Sequence, residues 1–376
     1  MTGMTGRIKN TLLAAGIISV FGLASSLTLR NALAQDDAAT TGAVYTMTNA
    51  SANQVMAFTR HASGSLALLG TFSTQGSGNS LNLTSQGAVI LNSARTFLFV
   101  VNPGSNTITS FSVQSNGSLV FVNQVSSGGT EPVSVTSHSK LVYVVNAKGS
   151  PNISGFTVAT NGSLTPLAGS TVGLSATTAN PAEVAFNNSG TLLVVTEKST
   201  NKIDTFTVGS NGIASGPMVQ DSNGPQPFGF AFDSNDHLIV SETTNSAVSS
   251  YSVATNGVLT VITGSLLDGA KAACWIANTN NHTFPNQYSY TTNTGSANVS
   301  GYSIAANGSL TLLAGKPTGT PKDDLDMALS TNSMYLYVLG RSSGQIQGYS
   351  VASTGALAKV GAAVTVPTTS YGLASF

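Results

Sequence analysis

The sequence predicts an all-β fold, a seven-bladed β-propeller of four-stranded antiparallel blades, from three observations. A hairpin motif recurs seven times, with spacings of 45 to 53 residues. Two further short apolar strands precede each hairpin except the first, which has one, and amphipathic helical periodicity is absent after the N-terminal segment. Four strands repeated at this period are typical of a propeller blade.

Each hairpin begins with an aromatic residue and reaches a glycine turn a few residues later, as in FSVQSNGSL and YSIAANGSL. The seven copies begin at Phe58, Phe111, Phe156, Phe206, Tyr251, Tyr302 and Tyr349. Asn-Gly favours a turn in which both central residues have positive φ. We therefore predict type I′ turns joining the two outer strands of each blade.

The upstream strands are typified by LLVVTE for the second strand and NPAEVAF for the inner strand. The first set, at residues 42–49, has no inner strand before it, whereas residues 371–376 at the C-terminus match one. We therefore predict that the C-terminal strand joins the N-terminal blade and closes the ring, which leaves no open sheet edge.

The N-terminal residues 1–34 are predicted to be a secretory signal peptide. Arg7 and Lys9 precede an apolar run at 11–29, and Ala32 and Ala34 form a small-residue cleavage motif. A run of this length also suits an uncleaved membrane anchor. Residues 35–40 are then a linker and residues 41–376 the propeller, in a secreted, periplasmic or extracellular protein with no other membrane contact.

Composition excludes several classes of function. The chain has 14 basic and 14 acidic residues, and loss of Arg7, Lys9 and Arg30 with the signal leaves a slightly acidic protein, unsuited to nucleic acid. The only cysteine, Cys274, cannot form an intramolecular disulfide. No metal-ligand spacing or nucleotide-binding loop occurs, so we predict no metal, no cofactor and a monomer.

Polar and charged residues concentrate where inner strands start and second strands end, positions that share one face of a propeller around its central channel. This predicted ligand-binding face carries Asn102, Glu131, Asn146, Lys148, Glu183, Lys271, Asp323, Asp324 and Asp326. A polar funnel over the channel is a common ligand site. Lys202 and Asp204 lie on a more peripheral strand, where we predict solvated cross-strand positions.

The repeats VYVVN…ISGFTVATNGSLTPLAGS and LLVVTEKSTNKIDTFTV resemble the seven-bladed lactonase-type propellers. That family includes 6-phosphogluconolactonases and carboxy-cis,cis-muconate cyclases and overlaps the YVTN-repeat proteins. The resemblance implies a hydrolase or cyclase acting on a lactone at the channel face. It aligns Glu197, and also Glu242, with the family's glutamate and Ala182 with its histidine. The family's arginines have no counterpart at the inner-strand starts.

Two hypotheses follow for function. In the first, the protein is an exported lactonase-type enzyme in which Glu197 or Glu242 is the general base and Lys198, Lys271 or Arg341 stabilises the oxyanion. In the second, it is a non-catalytic exported propeller that binds a carbohydrate-like ligand or a surface protein through the same face. Fold alone does not decide between them.

Overall fold

The computed structural model describes residues 1–3, 40–280, 282–315 and 317–376. These residues form thirty β-strands that pair into seven antiparallel sheets. The innermost strands of neighbouring sheets contact each other around a closed ring, so each sheet is one blade of a propeller. The predicted fold class is confirmed. The predicted signal peptide and linker fall almost wholly outside the described residues.

The first four blades follow one another along the chain. Blade I consists of β1 (Thr40–Met47), β2 (Gln54–His61), β3 (Leu66–Ser73) and β30 (Tyr371–Ser375). Blade II consists of β4 (Val89–Leu91), β5 (Phe97–Asn102), β6 (Thr107–Val113) and β7 (Leu119–Ser126). Blade III consists of β8 (Thr130–His138), β9 (Leu141–Lys148), β10 (Asn152–Val158), β11 (Leu164–Pro166) and β12 (Val172–Gly173). Blade IV consists of β13 (Pro181–Phe186), β14 (Leu192–Glu197), β15 (Lys202–Val208) and β16 (Ala214–Asp221).

The remaining three blades repeat this order, and the outer strand of blade VI, like that of blade III, is broken into two pieces. Blade V consists of β17 (Pro227–Phe232), β18 (Leu238–Glu242), β19 (Ala247–Val253) and β20 (Leu259–Leu267). Blade VI consists of β21 (Ala273–Asn278), β22 (Gln287–Asn293), β23 (Asn298–Ile304), β24 (Leu310–Leu312) and β25 (Thr318–Gly319). Blade VII consists of β26 (Asp324–Leu329), β27 (Tyr335–Gly340), β28 (Gln345–Val351) and β29 (Leu357–Thr365). Within these ranges, no helix is long and apolar enough to span a bilayer.

Ring closure occurs as predicted. The C-terminal strand β30 pairs antiparallel with β1, with Tyr45 opposite Ala374 and Val44 opposite Ser375. The Tyr45 ring also stacks on Phe376, with 6.3 Å between ring centroids. Blade I is therefore built from both ends of the propeller sequence, and its inner strand comes from the C-terminus.

Burial explains the sequence pattern of the strands. A second strand lies between its sheet neighbours and packs against adjacent blades on both faces, so all residues of β14 are buried. Such a strand needs an almost continuous apolar sequence, whereas the outer strands β16 and β20 are largely exposed and mix polar with apolar residues. The core is therefore distributed between the blades as well as around the ring.

The hairpin turns differ from the prediction. Glycine alone has positive φ, +85° at Gly117, whereas the preceding Asn116 does not. The Gly117 N–H donates to Gln114 O at 2.9 Å, and Asn116 Oδ1 accepts the Ser118 N–H at 3.0 Å. The type I′ prediction is wrong, because the Asn side chain closes an Asx turn and only the residue after it enters the left-handed region.

These turn glycines also connect neighbouring blades. At six of the seven hairpins a hydroxyl of the preceding blade donates to the glycine carbonyl, at distances between 2.7 and 2.9 Å. The pairs are Tyr45–Gly117, Ser110–Gly162, Tyr143–Gly212, Thr205–Gly257, Tyr290–Gly355 and Tyr337–Gly64. In each of these six hairpins, the glycine adopts the left-handed conformation of the turn and its carbonyl oxygen accepts a hydrogen bond from the preceding blade.

Candidate functional site

The linker between β3 and β4, residues 74–88, enters the centre of the ring. The Gln86 N–H donates to Ala182 O at 2.9 Å. The Gln86 side chain accepts the Ile276 N–H at 2.8 Å and donates to Ile276 O at 2.9 Å. Ala182 and Ile276 belong to the inner strands of blades IV and VI, so Gln86 reaches across the channel between them.

Ser85 makes similar contacts with other blades. Its hydroxyl donates to Val133 O at 2.9 Å, and its carbonyl accepts the Trp275 Nε1–H at 2.8 Å. Its N–H donates to the Tyr371 hydroxyl at 3.2 Å. We call residues 85–87 the plug, because their partners lie on inner strands on opposite sides of the ring. The plug occupies the channel beside the predicted site.

Residues 78–84, which we call the cover segment, lie above the plug and are held by Lys198. The Lys198 ammonium donates to Thr84 O, to Thr84 Oγ1 at 3.2 Å and to Pro181 O at 3.0 Å, and lies 5.2 Å from the centroid of the Phe228 ring. All three donors of the amine are therefore used inside the protein. Burial lowers the pKa of Lys198 to about 7.

A second predicted cation also binds the cover segment. Arg341 Nη2 donates to Ser80 O at 3.2 Å. The Asn49 side chain donates to Leu81 O at 3.0 Å and fastens the same segment to blade I. Lys198 and Arg341, predicted to stabilise an oxyanion, thus both hold backbone carbonyl oxygens of the chain itself.

The predicted base Glu197 is completely buried at the end of β14. Its carboxylate accepts the Ser175 N–H at 3.0 Å, the Ser175 hydroxyl at 2.5 Å and the Thr200 hydroxyl at 2.5 Å. Asp204 Oδ2 accepts the same Ser175 N–H at 2.9 Å. Asp204 is also completely buried, so its predicted solvated position is wrong, whereas Lys202 forms a partly exposed ion pair with Asp221.

Three other predicted residues occupy the corresponding strand ends and are fully buried. Glu242 accepts the hydroxyls of Ser249 at 2.5 Å and Ser265 at 2.6 Å. Asn102 donates to Thr109 Oγ1 at 2.9 Å, and Asn146 donates to Ser127 O at 3.1 Å. The ends of the second strands therefore form a buried polar layer that ties each blade to its own third strand or to a linker.

Glu183 and Asp326 lie on the inner strands of blades IV and VII. Glu183 Oε2 accepts the Phe230 N–H at 2.7 Å, and Asp326 Oδ1 accepts the Met327 N–H at 2.8 Å. Burial raises the pKa of both carboxyls well above the usual range, and the charge of Asp326 raises that of Glu183 further.

The other predicted face residues lie nearer the rim. Asp324 is fully buried and accepts the Thr320 hydroxyl at 2.8 Å, and burial raises its pKa to about 7. Asp323 accepts the Ser342 hydroxyl at 2.8 Å. Lys148 and Lys271 are exposed and Glu131 is half-buried. Within the described ranges, no ion pair joins a predicted cation to a predicted carboxylate.

A recess of about 240 Å³ opens at the rim between blades III and IV. Its lining consists of Ala147, Lys148, Gly149, Thr177, Thr178 and Asn180. The polar side chains of this lining are one ammonium, two hydroxyls and one amide. All four can donate hydrogen bonds, and the lining contains no carboxylate. Among the side chains that the structure describes, no group of three His, Cys, Asp or Glu is placed to hold a metal ion.

The sequence reasoning missed the plug and the cover segment. A signal was present, because the first hairpin spacing is the longest of the set and residues 74–88 contain no strand-like pattern. Long linkers without secondary structure are uncommon in compact domains and are often functional. Ser175, which caps both Glu197 and Asp204, was also missed because it lies in the linker between blades III and IV, far in sequence from both acids.

Comparison with known proteins agrees with the fold. Residues 38–179 match the family described as lactonase, 7-bladed beta-propeller. This match confirms the predicted resemblance to lactonase-type propellers over the first blades. None of the curated proteins matches the chain in sequence.

Solved structures extend the similarity to nearly the whole propeller. A protein from Lactobacillus plantarum has 19% identity and a TM-score of 0.73, covering 90% of this chain and 100% of its own. The periplasmic gluconolactonase of Pseudomonas aeruginosa has 17% identity and a TM-score of 0.68, covering 86% and 97%. Virginiamycin B lyase from Staphylococcus aureus has 13% identity and a TM-score of 0.51, covering 74% and 85%. At these identities the likeness is one of fold.

Proposed function

We propose that this lactonase-type propeller is an exported binding protein for a small sugar acid or sugar lactone, which it recognises at the rim recess without hydrolysing it. The observation that carries the proposal is the occupied channel. Residues 85–87 bridge inner strands across its centre, and the carboxylates aligned with a catalytic base, Glu197 and Glu242, are capped by internal hydroxyls.

The chemistry of the recess supports a ligand with acidic or hydroxyl oxygens. Lys148 supplies a charge-assisted donor, and Thr177, Thr178 and Asn180 supply neutral donors. The volume of about 240 Å³ is below the roughly 300–1,000 Å³ of sites for drug-sized ligands. A single sugar-sized molecule is therefore the expected occupant, recognised mainly by hydrogen bonds.

Titration calorimetry with sodium gluconate tests the binding. Lys148→Ala should weaken the affinity about tenfold, or about 1.4 kcal/mol, because it removes the only charged donor among the described residues that line the recess. Lys140→Ala is the matched control, since Lys140 is an exposed lysine of the same blade in the turn between β8 and β9. Equal affinities for wild type and Lys148→Ala, or no binding by wild type, would reject this site.

Lactone hydrolysis is the second candidate, favoured by the likeness in fold to a periplasmic gluconolactonase. A pH-stat assay with γ-, δ- and sugar lactones separates the two candidates. The binding-protein proposal predicts no base consumption above the spontaneous rate. If turnover is observed, Glu197→Gln and Glu242→Gln identify the base by the loss of rate.

A further inference from the structure

The cover segment is held in a strained backbone conformation. Ser80 and Thr84 have φ values of +58° and +47°, in the left-handed region that β-branched residues such as threonine rarely adopt. Hydrogen bonds from outside the segment hold it in place, because Lys198 donates to Thr84 and Arg341 donates to Ser80. Asn49 bonds Asn79, Ser80 and Leu81, and the Tyr371 hydroxyl donates to Asn82 Oδ1 at 3.0 Å. Leu81 between them is 60% exposed.

The Lys198 contact resembles the recognition of a ligand oxygen. Its ammonium binds the Thr84 carbonyl oxygen and lies 5.2 Å from the centroid of the Phe228 ring, which packs on Trp275 with 4.9 Å between ring centroids. The other side of the amine is fixed by Pro181 O at 3.0 Å. A cation fixed above an aromatic floor is a suitable site for a carboxylate or carbonyl oxygen next to an apolar ring face.

We propose that the cover segment is a lid, that Thr84 O occupies the oxygen position of a ligand, and that a small carboxylate replaces it when the lid opens. The plug remains in the channel as the floor of this site. Lys198 is then the latch in the closed state and the oxygen-binding residue in the open state. This site is separate from the rim recess, and its test does not need the recess to bind a ligand.

Trp275, the only tryptophan of the chain, reports the opening. It is 2% exposed in the closed state and packs against Phe228 and Tyr371. Lys198→Met keeps the length and packing of the side chain but removes its donors, so we expect at least twofold stronger acrylamide quenching of Trp275. Lys202→Met is the control, because Lys202 lies on the next strand of blade IV and contacts Asp221.

Unchanged quenching in a folded Lys198→Met protein would overturn the latch. If that variant does not fold, wild type decides the question through a quenching series from pH 6 to pH 9. Deprotonation of Lys198 weakens the latch, so quenching should rise with pH, and a flat series overturns the proposal. The titratable groups facing Lys198 are Cys274, Lys148 and Glu131, and the pKa of Cys274, raised to about 11 by burial, keeps that thiol protonated.

The class of ligand is tested by following Trp275 emission in wild type during titration with gluconate, glucuronate or acetate against sodium chloride. A saturable change with a carboxylate that is lost in Lys198→Met supports the oxygen site. Retention of that change in Lys148→Ala separates this site from the rim recess. No change with any of the carboxylates contradicts the assigned ligand class.

Discussion

At the residue scale, Glu197 and Asp204 form a buried pair of acids in blade IV. Both carboxyls accept the same Ser175 N–H, at 3.0 and 2.9 Å. Burial, followed by the hydrogen bond and charge of Glu197, raises the pKa of Asp204 to about 8. Two adjacent carboxyls cannot both ionise without strong repulsion, so Asp204 retains a proton at neutral pH.

This pair makes stability depend on pH in a defined direction. The folded-state pKa of Asp204 lies above its ordinary value of 3.8, so the folded state binds more protons than the unfolded state between about pH 4 and pH 8. The stabilisation is complete below about pH 4 and is lost as the pH rises through 8. Stability should therefore fall with rising pH across this window.

Asp204→Asn should remove this contribution, because an amide keeps a donor toward Glu197 and cannot ionise. We expect the variant to be more stable than wild type at pH 8 by about 1–2 kcal/mol, or about 2–8 °C in Tm, with a smaller difference at pH 5. Differential scanning calorimetry between pH 5 and pH 8 measures the effect. Asp221→Asn, an exposed acid of the same blade, should follow wild type, and an equal pH slope in Asp204→Asn would contradict the raised pKa of Asp204.

Repeat alignment shows why the environment of Asp204 could have been predicted. Two residues before the aromatic residue of each hairpin, the third strand has a polar residue in five of the other six blades, Thr109, Ser154, Ser249, Ser300 and Gln347, and Met56 in blade I. Thr109, Ser249 and Ser300 each form a hydrogen bond with the last residue of their second strand. The sequence of blade IV alone suggests a solvated position for Asp204, whereas polar residues at the same position of most blades indicate a buried polar layer. Only the raised pKa of Asp204 needs the three-dimensional structure, because Glu197 and Ser175 lie on other elements.

At the element scale, the hairpin is the unit that joins the blades. The sequence located all seven hairpins, because the aromatic residue and the glycine recur at fixed spacing. It did not indicate the hydroxyl-to-glycine bonds, whose donors lie far away in sequence, as in Tyr45 and Gly117. Turn type was also missed, because Asn-Gly fits either a type I′ turn or an Asx turn before a left-handed glycine.

Two tyrosines offer a matched test of the connection between blades. Tyr45→Phe deletes the 2.8 Å bond to Gly117 O and should lower the free energy of unfolding by about 0.5–1.5 kcal/mol. Tyr302 is equally buried, but its hydroxyl has no hydrogen-bond partner among the residues that the structure describes, so Tyr302→Phe should leave stability unchanged or raise it slightly. Denaturant unfolding measures both, and equal losses would show that the hydroxyl bonds are not the cause.

At the scale of the whole molecule, closure and filling of the ring have different origins. Closure was predictable because one inner strand is missing at the start of the repeats and reappears at the end, and β30 pairs with β1 accordingly. The plug could not be predicted, because its sequence has no periodicity and its hydrogen-bond partners lie on inner strands of several other blades. Those contacts arise only when the ring has assembled.

Amide hydrogen exchange at Gln86 tests the filled channel most directly. Its N–H donates to Ala182 O at 2.9 Å in the centre of the ring, so it should exchange as slowly as amides of the inner strands, such as Val184, although it lies in a Gly/Ser/Asn-rich linker. Exchange of Gln86 as fast as that of exposed linker amides would contradict a plugged channel and would reopen it as a catalytic site.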